Sequence, residues 1–135
     1  MEYKLKRNDL VYPDLCFTIV GILFDVYNTI GAGYREKTYQ EGIALGFKKN
    51  GIAFQKEAPA DLIVFSEKLG RYYLDFVVEE KIVIEVKRGS RFSKRDIEQI
   101  KAYLKIKKLK LGILALFGAE EMKFVRIINW ELVEK

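Results

Sequence analysis

The chain has 135 residues, half of them hydrophobic, with 24 Lys and Arg against 19 Asp and Glu for a net charge of +5. One cysteine and no histidine exclude an internal disulfide, zinc fingers, histidine-based triads and most transition-metal sites. What remains is the chemistry of carboxylates, lysine and an oxygen-bound metal. The length predicts one domain over residues 1–135, and the lone Cys16 fits a reducing, cytoplasmic setting. The first residues lack a signal-peptide pattern, and no apolar run approaches the roughly 20 residues of a membrane span, so no membrane partner is expected.

Residues 14–31 read as an amphipathic helix, with Leu15, Ile19, Ile22, Leu23, Val26 and Ile30 at helical spacing and Gly31-Ala32-Gly33 as its stop. A second helix is predicted from Tyr34 to Lys49, with Tyr39, Ile43 and Phe47 as its stripe. Glu36 lies in its first turn. There it either complements the helix dipole or looks from the border of the stripe toward the hairpin further along. Residues 52–58 and 61–66 predict a strand broken at Pro59, followed by a turn at Glu67–Gly70.

Residues 71–87 follow as a β-hairpin. Two apolar runs, 72–78 and 82–86, flank Glu79-Glu80-Lys81. Only Asp75, Glu85 and Lys87 interrupt them. Glu85 and Lys87 share one face of their strand and Val86 points to the other. Asp75 joins them if the loop has an odd number of residues, since a one-residue slip flips a strand; the predicted loop is Glu79–Lys81, or a bulge with the same result. Charges on a buried face must be paired or metal-bound. Two readings follow: a structural ion pair, or a pair of carboxylates for a hard cation such as Mg²⁺.

After a loop at Gly89–Phe92, Ser93-Lys94-Arg95-Asp96 matches a capping box. The helix it opens runs to about Lys107, with Ile97, Ile100 and Leu104 inside and Gln99 and Tyr103 on the flank. Strands are predicted at Leu109–Phe117 and Val125–Ile128. Residues 87–110 carry ten basic and two acidic side chains, a local charge of +8 against −3 for the remainder. Such a segment is either a solvated face or a surface for a polyanion such as nucleic acid. The order helix, helix, strand, hairpin, helix, strand, strand predicts an α/β (α+β mixed-sheet) fold with helices on the faces of the sheet. Phe124 and Trp130 are candidates for a homodimer face.

Asp75 followed by Glu85-Val86-Lys87 on consecutive strands resembles the PD-(D/E)XK nuclease superfamily. Gly33-Tyr34-Arg35-Glu36-Lys37-Thr38-Tyr39 is similar to the name-giving motif of its GxxExxY branch. Leu74-Asp75, Ile84–Lys87, Gln99–Leu104 and Lys110–Leu114 follow in that family's order, and Gln99-Ile100-Lys101-Ala102-Tyr103 resembles the helix motif of RecB-type nucleases. The chain departs from the usual Glu-Leu-Lys and small-residue loop at Val86 and Arg88-Gly89.

The resemblance implies a restriction-endonuclease-like core and a metal-dependent nuclease acting on DNA. Asp75 and Glu85 would bind Mg²⁺ or Mn²⁺, with the Val86 carbonyl as a further ligand. Lys87 would handle the nucleophile or the developing charge. Glu36 would orient a metal-bound water or support a second metal, and Gln99 would hold Lys87 or the phosphate. Arg88, Arg91, Lys94, Arg95 and Lys101 would contact the nucleic-acid backbone. The alternatives are a non-catalytic nucleic-acid-binding module and an accessory subunit of a DNA-processing system. A symmetric homodimer would favour branched substrates, whose paired strands two sites could cut.

Overall fold

The structure, a computed structural model, describes residues 11–133. The first helix, α1 (Pro13–Ile30), starts with Pro at its first turn and ends at Gly31, whose φ of 82° is open to glycine and whose N–H returns to the Tyr27 carbonyl. It buries Cys16, Ile19, Ile22 and Leu23. By length and composition this 18-residue helix is long and apolar enough to cross a membrane, with a mean hydropathy of 1.2. Here its inner stripe lies against the sheet. The second helix, α2 (Glu36–Lys49), begins two residues later than predicted, because Arg35 remains extended. Its stripe of Tyr39, Ile43 and Phe47 is buried as expected, and Gly46 lies so close to α1 that an added Cβ would come within 2.5 Å of Ile22.

Five strands form one sheet in sequence order: β1 (Phe54–Val64), β2 (Glu67–Val78), β3 (Ile82–Arg88), β4 (Leu111–Phe117) and β5 (Met122–Ile128). All neighbours are antiparallel except β3 and β4. That parallel pair is joined by α3 (Lys94–Lys107), as a parallel connection requires a crossover. A four-residue turn of helix, α4 (Trp130–Val133), follows β5. Phe76, Ile84, Val86 and Ile113 face α1 and α2, while Val83, Leu114 and Ile127 face Ile100, Tyr103 and Leu104 of α3. With a helical layer on each side, all seven residues of β4 are buried.

The hairpin loop is the odd-numbered one. Val78 pairs with Ile82, and Glu79 and Glu80 take left-handed φ values of 53° and 57° before Lys81. The strand before it departs from expectation. β1 runs unbroken through Pro59, which an edge strand accommodates, and the turn falls at Phe65-Ser66 rather than at Glu67–Gly70. Gly70 lies within β2 opposite Leu62, beside a register shift. Tyr103 is not on a surface flank: it is fully buried, and its hydroxyl donates to the Ala58 carbonyl at 3.0 Å. Phe124 packs edge-on against Phe24, so it is not part of an open face, while Trp130 is 41% exposed.

Candidate active site

The β2–β3 ladder stops one residue short of the charged positions. It pairs Val78 with Ile82, Val77 with Val83 and Phe76 with Ile84. Beyond that point the carboxylates replace the backbone as acceptors. The Asp75 N–H donates to Glu85 Oε1 at 3.1 Å, and the Val86 N–H donates to Asp75 Oδ2 at 2.7 Å. The ladder on the other side of β2 also skips Asp75, because Glu57 opposite it has a left-handed φ of 51°. Asp75 is thus held by side-chain bonds at a place where the sheet opens. Each carboxylate is anchored through one oxygen. The second oxygens, Asp75 Oδ1 and Glu85 Oε2, take no hydrogen bond from a described backbone group.

Burial is the main force on both acids. It pushes the Glu85 carboxyl up to about 8, with the neighbouring Asp75 adding to the rise. Asp75 is raised as well, first by burial and in smaller part by Glu36. Two desolvated carboxylates facing each other are unfavourable as a doubly charged pair. A hard divalent cation relieves that repulsion and needs oxygen donors, so the residues present fit Mg²⁺ or Mn²⁺. Among the described residues no three His, Cys, Asp or Glu side chains converge into a cage. The pair is suited to a cation whose remaining ligands are water and phosphate.

Lys87 follows on the same face of β3. Its ammonium lies 3.7 Å from Glu85 Oε2 and 3.9 Å from Asp96 Oδ1. Asp96 had no predicted functional role; its position in the capping box accounted for it. That cap is present, with the Asp96 N–H donating to Ser93 Oγ at 3.2 Å. The cap uses the backbone of Asp96, which leaves its carboxylate free to face Lys87. The sequence signal was one of only two acids, Asp96 and Glu98, in an otherwise basic segment. Gln99 is half-buried one turn further along α3 and makes no side-chain hydrogen bond among the described residues. Lys87 is held by Glu85 and Asp96 instead.

Glu36 stands in the other helical layer, in the first turn of α2. Gly33, at φ 94°, turns the chain into α2, and the Tyr39 hydroxyl donates to the Gly31 carbonyl at 2.6 Å while its ring stacks 4.3 Å from Phe117. These contacts pin both ends of the segment that carries Glu36. It borders an open cleft of about 640 Å³ with Gly33, Arg88 and Gly89, beyond the carboxyl ends of β3 and β4; Asp75, Glu85 and Lys87 do not line that cleft. Its charge is felt at Asp75. Val86 points away from the site into the α1–α2 layer, and only its backbone takes part.

The basic residues separate into two groups. Arg88, Arg91, Lys94 and Arg95 are exposed between the end of β3 and the first turn of α3. Lys101 lies further along α3, paired with Glu98 at 3.7 Å and bordering a groove with Leu104, Asn129 and Trp130.

Comparison with known proteins agrees with this geometry. No curated protein matches the chain. Among solved structures, the crystal structure of SSO0001 is similar, with a TM-score of 0.53 and 20% sequence identity over 73% of this chain and 54% of that one. At that identity the likeness is one of fold, and the chain spans about half the length of that protein. The family model for the PD-(D/E)XK nuclease superfamily matches residues 13–127, which include every charged residue of the site; the chain belongs to that superfamily.

Proposed function

We propose that the chain is a divalent-metal-dependent nuclease that hydrolyses phosphodiester bonds of DNA, of the GxxExxY branch that residues 33–39 resemble. The observation that carries the reading is the pair of half-buried Asp75 and buried Glu85, each hydrogen-bonded to the opposing strand and followed by Lys87. Asp75 and Glu85 would hold Mg²⁺ or Mn²⁺, with the Val86 carbonyl as a candidate third donor. The metal, when bound, supplies Lewis acidity at the scissile phosphate and at water.

The chain's own groups do the rest. Lys87, steadied by Asp96, places a positive charge where negative charge develops on the phosphate. Glu36 accepts a hydrogen bond from a water in the cleft and orients it. Gln99, with no protein partner among the described residues, offers an amide to the phosphate. Arg88, Arg91, Lys94 and Arg95 bind neighbouring phosphates, and Lys101 belongs to the same surface only for a substrate that reaches further along α3.

The test is cleavage of single-stranded, duplex and branched DNA with Mg²⁺ or Mn²⁺, comparing wild type with Glu85→Ala and Lys87→Ala. Both variants should lose cleavage and keep their circular dichroism. Absence of cleavage by the wild type, or equal cleavage by the variants, sinks the assignment.

A further inference from the structure

The β1–β2 hairpin extends beyond the sheet it belongs to. Along β2, β3 pairs only with Phe76, Val77 and Val78, so from Ala58 and Leu74 outward the two strands pair, among the described residues, only with each other. One face of this arm is closed by α3, where Ala58, Ala60 and Leu74 are buried. On the other face Pro59 lies opposite Tyr73, Asp61 opposite Arg71 and Ile63 opposite Lys68. No other described element covers that face: Ile63, Leu69 and Tyr73 are 52%, 65% and 57% exposed.

The apex is more unusual still. Phe65 and Ser66 both have left-handed φ values, 50° and 65°, in a turn where Asn-Gly would fit without strain. Phe65 is also 95% exposed. A phenylalanine there benefits neither the backbone nor the core of an isolated chain.

Charge and area identify the occupant. Residues 61–71 hold Asp61, Glu67, Lys68 and Arg71, a net charge of zero within a chain of +5. A polyanion gains nothing here, whereas a second identical chain, repelled elsewhere by its own charge, meets a neutral apolar surface. On that face and its apex, Ile63, Phe65, Leu69 and Tyr73 together expose on the order of 600 Å², to which Asp61, Lys68 and Arg71 add, in the range of the roughly 800 Å² per partner of a standard interface. Amid the bare face, Arg71 and Asp61 form a two-bonded ion pair at 2.5 and 3.1 Å. Acid and base side by side make this face self-complementary about a two-fold axis.

We propose that two copies of this chain associate through the β1–β2 arm, bare face to bare face, with the Asp61–Arg71 pairs near the axis and each Phe65 covered by the partner. The proposal does not depend on the catalytic reading.

Sedimentation velocity of the full chain over a wide concentration range tests it. Wild type should form a dimer, and the double variant Phe65→Asp/Leu69→Lys should be monomeric with unchanged circular dichroism, since both side chains are exposed. Asp61→Arg and Arg71→Asp should each weaken the dimer alone and form a heterodimer when mixed. A wild-type monomer at every concentration overturns the proposal and leaves the arm to another protein or to the chain's own terminal residues. A dimer that survives all of these substitutions overturns it too, because its interface then lies elsewhere.

Discussion

Glu85 is 7% exposed and within hydrogen-bonding reach of a second carboxyl, which is a poor place for a negative charge. Its carboxyl keeps its proton up to about pH 8 in the fold, against an ordinary value of 4.5. Between those values the folded protein binds more protons than the unfolded chain, so metal-free stability falls as pH rises through that window. Thermal denaturation at pH 5 and pH 8 should show this loss. Glu85→Gln should flatten it and stabilise the metal-free protein at pH 8 by about 2–4 kcal/mol. Added Mg²⁺ should recover the wild type and not the variant. Asp96 offers a second prediction at this scale. Asp96→Asn should lower cleavage roughly tenfold by releasing Lys87, yet change stability by less than about 1 kcal/mol, because a partly solvated pair as long as 3.9 Å is weak and the cap bond is made by the backbone. Paired cleavage and denaturation curves on that variant separate the two effects. The role of Asp96 was hidden in the sequence because its cap position already explained an acid there. Asp75, Glu85 and Lys87 were legible, because strand alternation and an odd loop leave one arrangement.

At the scale of elements, α3 ties the site to the sheet. Its N-cap Ser93 places Asp96, and its inner stripe rests on β3 and β4 through Ile100, Tyr103 and Leu104. Gly112 permits that approach: a Cβ there would lie 2.5 Å from Ile100 Cγ2 and 3.1 Å from Val83 Cγ2. Gly112→Ala should therefore destabilise by about 1–3 kcal/mol through overpacking, read as a lower midpoint in urea denaturation. Nothing in the apolar run around Gly112 announced this, since the clash depends on a helix brought in by the crossover. The helices themselves were legible from period and caps. The β1–β2 hairpin was not, because Pro59 and Gly70 are turn residues by composition and only the pairing partner shows them to lie inside strands. Tyr103 was misjudged for a related reason. Helical spacing puts it on the border of the stripe, and the arm of β1 passing over it turns that border into core.

For the whole molecule, the charge of +8 in residues 87–110 is not one patch. Arg88, Arg91, Lys94 and Arg95 gather near the site, whereas Lys101 is paired with Glu98 further along the helix. Four phosphate contacts predict that log affinity for duplex DNA falls against log salt with a slope of about −3 to −4. Arg91→Ala should reduce that slope by about one and Lys101→Ala should leave it nearly unchanged. Fluorescence anisotropy across a salt titration reads both values.

The sequence alone determined the helices, the order of strands, the loop that puts Asp75 opposite Glu85, and the superfamily, because these depend on local period, turn chemistry and motifs in order. Only the tertiary structure decided that Asp96 faces Lys87, that Glu36 lines a cleft with Arg88 and Gly89 from the other helical layer, and that the first hairpin leaves the sheet as an apolar arm. Those relations join residues from separate elements. Their distances are set by how the layers pack, which no local pattern records.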